Sequence, residues 1–308
     1  MSISLGFGFG SYHIIRTSGY GTKTMDEEEY STPFSLLQAA SLLSQRTRLA
    51  KFEQALQQVI TEDSYVVDLG TGTGILAMLA AKAGAKKVTA VEIDRRSAEY
   101  AEQAIRSNGL SDVIEVVRSH YVDFRPARRA DIVTCEMLSS VMLIEPQIPA
   151  CQWAVDEILK EDGILLPQSV TVYVAPVECH HVWKRFVPLG LVFPRVPQTM
   201  SKGEYRDLAD LKILHHFAFN RTRRGEWNVK EDLTFDIISD GTVHGFAGLF
   251  EARLTQDIKL TMDDGWRDLL LPLDEPILVS EGNILSASVY YVPAVVDSLR
   301  MRASTEKR

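Results

Sequence analysis

The chain is short of several things, and each shortage narrows what it can be. Only three cysteines occur in 308 residues (Cys135, Cys151 and Cys179), none in a CxxC pair. That excludes a disulfide-stapled scaffold and a zinc ribbon. No uninterrupted apolar run reaches the ~18 residues of a spanning helix, so no membrane span is expected. Positive charge is outweighed, 33 Lys+Arg against 41 Asp+Glu, for a formal charge of −8. A nucleic-acid binder wants a basic stripe, and this balance argues against one. The opening Met1–Gly10 lacks the basic start and leucine-rich centre of a signal peptide, so a cytoplasmic protein is expected.

What is present is ordinary globular composition, 45% hydrophobic and 24% charged, which excludes a disordered or fibrous chain. At this length single cores stop growing, and two domains are the better expectation. Residues 1–32 show no clear period and read as an N-terminal arm that could order over a ligand. Pro33 opens a long helical pattern in which Phe34, Leu37, Ala40 and Leu43 recur at three.

From Tyr65 the pattern alternates. Strands are predicted at 65–69, 88–93, 114–118, 131–135 and 164–166, with helices at 75–83, 96–108 and 148–159. Such alternation is the signature of a parallel, doubly wound sheet. After Pro167 the text turns to strands, predicted at 170–175, 233–238, 245–254, 257–262, 277–279 and 284–291, with one possible helix near 204–215. The expected organisation is an α/β domain over 33–166 and a β-rich domain over 167–308.

Asp68-Leu-Gly-Thr-Gly-Thr-Gly74 closes a strand and opens a helix. Glycines let the backbone turn and pass close to a ligand. The spacing is G-x-G-x-G, unlike the dinucleotide G-x-G-x-x-G, and no Walker lysine follows. Glu92 closes the second strand, 24 residues after Asp68, where a carboxylate can accept from both ribose hydroxyls. Gly70, Thr71, Gly72, Gly74, Asp68 and Glu92 together suit a nucleoside without a pyrophosphate, namely S-adenosylmethionine. Ser119 and His120 follow the third strand, where this fold contacts adenine.

Two carboxylates stand out further on. The fourth strand runs into Glu136, and Glu145 follows nine residues later. Glu136, at the carboxyl end of a central strand, sits where α/β proteins place ligand contacts. Glu145 precedes Pro146 and could instead cap the next helix. The adjacent pairs His180-His181 and His215-His216 point to opposite faces of a strand and make poor chelates, so no metal site is expected. Arg221, Arg223 and Arg224 read as a solvated basic loop.

The segment Val66–Val88, built around the glycine loop, resembles the cofactor motif of the protein arginine methyltransferases. The likeness runs from about Arg46 to Pro293. Gly163-Ile-Leu-Leu-Pro167, Glu231–Phe235, His244–Phe250 and Trp266–Leu273 follow the order of the family's later motifs. The resemblance implies a Rossmann-like, seven-stranded methyltransferase domain followed by a β-barrel. It implies Arg46 as the arginine gripping the cofactor's carboxylate and Glu136 with Glu145 as the pair holding the substrate guanidinium. Glu136 is counted with both the catalytic and the cofactor-binding residues. It also implies a homodimer through an arm over 179–227. Two departures accompany it. Met137–Ile144 carries no aromatic residue where the family has a Trp-Met-Gly-Tyr-like stretch, and Asp264-Gly265-Trp266 stands where the family has Thr-His-Trp. The function expected is N-methylation of arginine or another guanidino or amino compound, protein-bound or small. O- or C-methylation in a small-molecule pathway, or a non-catalytic cofactor-binding scaffold, are the alternatives. The sequence Cys135-Glu-Met-Leu-Ser139 does not fit the Asn/Asp-Pro-Pro-Tyr of nucleic-acid amino-methyltransferases.

Overall fold

The computed structural model describes residues 36–219 and 227–306. The expected N-terminal arm, Pro33 and the Arg221–Arg224 loop lie outside the described residues. The expected long first helix is broken in two, α1 (Leu36–Ser41) and α2 (Arg46–Val59), by a tight turn over Leu42–Ser44. Along α2 the residues Arg48, Phe52, Ala55 and Leu56 face inward at helical spacing. Phe52 and Leu56 are fully buried, and each such side chain contributes about 1.5–3 kcal/mol of hydrophobic stabilisation.

The alternating region then folds as β1 (Tyr65–Leu69), α3 (Ile75–Lys82), β2 (Lys87–Glu92), α4 (Arg95–Ser107), β3 (Ile114–Arg118) and β4 (Ala130–Cys135). These come within one residue of the expected bounds. Asp94 caps α4 by accepting from the Ser97 amide at 2.8 Å, and Ala98, Ala101 and Ile105 form its buried stripe. Every residue of β1 is buried, as befits a strand covered on both faces by helices. Next come α5 (Gln147–Trp153), its continuation as a π-helix over Ala154–Ile158, and β5 (Leu159–Leu166). The helix expected over 148–159 is therefore present, widened to π geometry over its second half, and only its last residue, Leu159, opens the next strand. All pairings in this sheet are parallel, in the order β3-β2-β1-β4-β5.

Five strands form this sheet among the described residues, not seven. The reason lies in the next connection. β6 (Ser169–Glu178) begins after only Pro167 and Gln168, whereas a parallel crossover needs a dozen residues or more. The chain must leave the parallel sheet, and β6 enters an antiparallel one. There follow α6 (His180–Trp183), β7 (Gln198–Met200), β8 (Arg206–Asp207), β9 (Lys212–Ala218), β10 (Val229–Asp236), β11 (Gly241–Arg253), β12 (Lys259–Thr261), β13 (Asp268–Val279), β14 (Ile284–Val292) and β15 (Val295–Glu306). One antiparallel sheet runs β7-β13-β11-β6-β8, with β12 on β11 and β9 on β6; a second runs β10-β14-β15. β9 lies beside β10 and β13 beside β15, so the two sheets meet along both edges and curl into a barrel. Aromatic side chains such as Phe217, Phe235, Phe246 and Tyr291 are fully buried between them.

The helix expected near 204–215 is absent; β8 and β9 occupy that stretch. Leu214 and Phe217 are both buried, three residues apart, which imitates a helical period. A register shift in the β6–β9 pairing opposite Val172 and Tyr173 inserts one extra residue and turns both inward. No helix among the described residues is long and apolar enough to cross a membrane. The cysteines Cys135, Cys151 and Cys179 are free and buried. Cys151 and burial push the Cys135 thiol up, as suits an inert packing residue.

Candidate active site

The carboxyl edge of the parallel sheet gathers the predicted residues. At the end of β1 the chain turns through Gly70, Gly72 and Gly74, with φ of +69°, +55° and +80°. L side chains rarely adopt such angles, so alternate glycines are the local requirement of this turn. A Cβ on Gly70 would stand 3.3 Å from Met137 Sδ, and one on Gly74 would stand 3.2 Å from Ala101 Cβ of α4. The amides of Gly70 and Thr71 both donate to the Val91 carbonyl, at 2.9 and 3.0 Å.

Asp68 is buried beneath this loop. Its carboxylate accepts from the hydroxyls of Thr71 and Thr134, each at 2.5 Å. Burial raises its pKa to about 6, against the pull of those hydroxyls. Glu92, at the end of β2, accepts from the Gly72 amide at 2.8 Å on one oxygen and from the Ile93 and Asp94 amides at 2.9 Å on the other. A carboxylate has about four acceptor sites, so these three bonds leave room for about one further donor. Burial also raises the pKa of Glu92. Ser119 follows β3, its amide bound to the Glu92 carbonyl at 3.0 Å. His120 stacks on Tyr121 at 4.4 Å between ring centroids, and burial lowers its pKa.

The stretch between the glutamates is a moulded loop. Its tight turn over Ser140–Met142 holds Val141 and Met142 at φ of +51° and +55°, unusual for any non-glycine and costly for a β-branched residue. The barrel supplies the restraint. Tyr291 Oη donates to the Val141 carbonyl at 2.7 Å, Trp266 Nε1 to the Leu138 carbonyl at 2.9 Å, and Ser140 Oγ to the Arg267 carbonyl at 2.6 Å. Gly248 on β11 leaves the space that Val141 fills, since a Cβ there would stand 2.7 Å from Val141 Cγ1. From the other side, Gln147 bridges the Met137 amide and the Cys135 carbonyl at 2.6 and 2.8 Å.

The two glutamates come together across this loop. Burial raises the pKa of Glu136. Glu145 is held well above the usual carboxylate range, first by burial and then by the negative charge of Glu136. The capping alternative for Glu145 does not hold: Pro146 takes the N-cap position of α5, and no side chain caps that helix.

Arg46 opens α2 and is exposed. The residue that sequence reasoning missed is Arg48, one of the inward-facing positions of α2 and only 3% exposed. Its Nη1 lies 3.4 Å from Glu136 Oε2, its Nε donates to the Asp264 carbonyl at 3.4 Å, and its guanidinium lies over the Trp266 ring at 3.4 Å from the centroid. The available signal was a charged residue on the same stripe as Phe52, Ala55 and Leu56. The departure at 265 also has a structural setting. Gly265 adopts φ +114°, and a Cβ there would stand 2.2 Å from Gln45 Oε1. Lys51 neutralises the neighbouring Asp264 at 2.6 Å. The paired histidines serve the barrel: His215 bonds Glu231 at 2.9 Å, His216 bonds Thr171 at 2.8 Å, and His180 meets the buried His244 at 3.3 Å.

Residues 50–173 match the family model for ribosomal protein L11 methyltransferase (PrmA). An uncharacterised protein of Methanocaldococcus jannaschii is 38% identical over 146 residues, covering 46% of this chain and 56% of that protein. Protein arginine N-methyltransferase 2 of Xenopus tropicalis is 26% identical over 86% of this chain and 68% of its own length. Arginine N(omega)-methyltransferase of Streptomyces achromogenes subsp. streptozoticus is 28% identical over 80% of this chain and 73% of its own length. In fold, the chain superposes with a TM-score of 0.72 on the Trypanosoma brucei PRMT1 enzyme–prozyme complex with AdoHcy, at 19% identity, covering 86% of this chain and 96% of that one. The glycine loop, the carboxyl-edge acids and the barrel that follows agree with these likenesses: over part of its length the chain matches a methyltransferase family model, and it is similar in sequence and in fold to protein arginine methyltransferases.

Proposed function

We propose that the protein is an enzyme transferring a methyl group from S-adenosylmethionine to a nitrogen of arginine or of another guanidino or amino compound. The observation that carries the reading is the buried glutamate pair, one of whose members is unprotected by any helix-capping role and pushed toward protonation by the other. Of the pair, Arg48 meets only Glu136, at 3.4 Å, so two buried carboxylates share one cation, an arrangement that is costly unless a second cation joins them.

The glycine loop fits the cofactor. Positive-φ glycines bring backbone close to a ligand, and Glu92 stands beside Gly72 with acceptor capacity to spare. Bound there, S-adenosylmethionine would supply an electrophilic sulfonium methyl. In this reading Glu92 accepts from the ribose, Gly70, Thr71, Gly72 and Gly74 shape the approach, and Asp68 holds the loop through Thr71 and Thr134. Ser119 and His120 border the adenine, and Arg46 meets the carboxylate. Glu136 and Glu145 grip the acceptor by charge-assisted hydrogen bonds, which are about twice as strong as neutral ones. By drawing positive charge to one guanidinium nitrogen they leave lone-pair density on another, placed for in-line attack, and positioning supplies much of the acceleration.

The cofactor part would span 33–166 and the barrel part 167–308, with function in the cytoplasm. A homodimer is supported by Leu189, Leu191, Val192, Phe193 and Val196, an exposed apolar run within the 179–227 arm.

Replacing Glu136 or Glu145 with Gln keeps shape and removes charge. With arginine, free or in a peptide, as acceptor, each single change should abolish most turnover and the double change should cost little more. Small, additive losses would refute the paired-glutamate reading.

A further inference from the structure

The two glutamates are held in different ways. Glu136 is fixed through its own carboxylate, which meets Arg48 at 3.4 Å and accepts from the Leu138 amide at 3.4 Å. The Glu145 carboxylate makes no hydrogen bond among the described residues, and only burial and the charges of Glu136 and Arg48 act on it. Its aim is therefore set by the backbone that carries it. Pro146 follows and has no N–H to give, so the amides of Ile144 and Glu145 are the last donors before α5. Both go to one atom. Ser139 Oγ accepts from the Ile144 amide at 3.3 Å and from the Glu145 amide at 3.1 Å. No other acceptor meets either amide among the described residues. The Ser139 carbonyl accepts from the Met142 amide at 2.9 Å. This one residue, only 7% exposed, thus ties the start of the loop to positions 142, 144 and 145, across the turn at Val141 and Met142. Its own backbone is extended, with φ of −134° and ψ of 157°, so the place asks for the hydroxyl and for no special conformation.

We propose that Ser139 is a positioning residue for the methyl transfer: through the Glu145 amide its hydroxyl sets the direction of that carboxylate and its separation from Glu136. The inference rests on the proposed function of the glutamate pair. A guanidinium presents its donors in a fixed planar fork, so two carboxylates serve it only where they converge on that fork. A hydroxyl oxygen has two lone pairs, and here the two amides take both. A methyl in its place would leave both amides without a partner, and the segment before Pro146 would turn to find other acceptors, carrying Glu145 with it. Glu136 would stay, because its partners lie elsewhere. Ser139 stands where the Trp-Met-Gly-Tyr-like stretch of the resembled family has its glycine, so this hydroxyl is the chain's own and does not come with the resemblance.

Amide exchange and carboxyl 13C NMR of the full chain test the role without an acceptor, with the Glu136 and Glu145 signals assigned from Glu136→Gln and Glu145→Gln. Ser139→Ala should quicken exchange of the Ile144 and Glu145 amides by about 2–10-fold, the loss of one hydrogen bond each. It should shift the Glu145 carboxyl resonance and leave that of Glu136 in place. Ser139→Thr, which keeps the hydroxyl, should restore both. With arginine, free or in a peptide, as acceptor, Ser139→Ala should lower kcat/KM by about 10–100-fold, as misplacement of a gripping group does, with S-adenosylmethionine affinity unchanged. An unmoved Glu145 resonance would overturn the proposal. So would equal movement of both glutamate signals, which would mark a loop merely loosened. Should Ser139→Ala fail to fold, the wild type still decides: its Ile144 and Glu145 amides should be protected, and exchange at the rate of an unstructured chain would refute the role. A wild type that methylates no such acceptor would count against the methyl-transfer reading, while the NMR outcomes still judge Ser139.

Discussion

Asp68→Asn offers a quantitative check on the buried carboxylate beneath the glycine loop. Asp68 has a pKa of about 6 in the fold against an ordinary 3.8, with burial as the largest cause. The gap is roughly 2 units, and at about 1.36 kcal/mol per unit it corresponds to about 3 kcal/mol. Because the folded value is raised, Asp68 binds its proton more tightly in the native state. Its contribution to stability is complete below pH 3.8 and is lost as the pH rises through 6. Asparagine cannot titrate. It also loses one of the two hydroxyl bonds from Thr71 and Thr134, but that cost does not vary with pH. The stability difference between wild type and variant should therefore change by about 3 kcal/mol between pH 3.5 and pH 7.5, with wild type losing ground as the pH rises. Urea unfolding of both proteins at half-unit pH steps, with no cofactor added, measures it. Glu92, Glu136 and Glu145 titrate in both proteins and largely cancel. Parallel curves would mean that Asp68 is not desolvated as described and would refute the argument.

Three further outcomes follow from the site and the barrel. Glu92→Ala should weaken S-adenosylmethionine binding by about 1.5–3 kcal/mol through lost charge-assisted hydrogen bonds, measured by calorimetry; tight binding of NAD with none of the sulfonium cofactor would contradict the assignment. Gly265→Ala should lower stability by about 1–3 kcal/mol, because φ of +114° disfavours an L residue and its Cβ meets Gln45; pairing it with Gln45→Ala should relieve the clash and leave the backbone cost, as read by thermal unfolding. Light scattering should give twice the 34.5 kDa chain mass, and Leu191→Asp with Phe193→Asp should yield monomers with intact circular dichroism.

The parallel sheet was legible because its strands are apolar runs bounded by glycine or acid, and its helices α3 and α4 keep one period from end to end. Tyr65–Leu69 and Ile114–Arg118 lie where the sequence places them. The barrel was harder for reasons visible in its strands. β15 is mostly polar, with Asp297, Ser298, Arg300, Arg302, Ser304 and Thr305, and none of its residues from 295 to 305 is buried, so it has no apolar face to read. β9 disguises itself through the extra residue opposite Val172 and Tyr173. At the candidate site, the places of the glycine loop and of Glu136 were legible because each follows the end of a strand, and that of Glu145 because Pro146 after it opens α5. Arg48 was not, because its partners Glu136, Asp264 and Trp266 lie 88 to 218 residues away in the chain. Only the stripe on α2 hinted that it turns inward.

The left-handed turn at Val141 and Met142 has a consequence for how this protein could change its chemistry. That turn is a casting whose mould is elsewhere, in Gly248 of β11, Tyr291 of β14 and the backbone of Arg267. Altering the mould would reshape the wall between the glutamates without touching either of them. A larger residue at 248 would lift Val141, and losing the Tyr291 hydroxyl would free the Val141 carbonyl. Libraries seeking new acceptors at the proposed site would therefore gain by varying the barrel's inner face rather than the acids alone, since the shape of the wall between the glutamates is stored in the barrel strands.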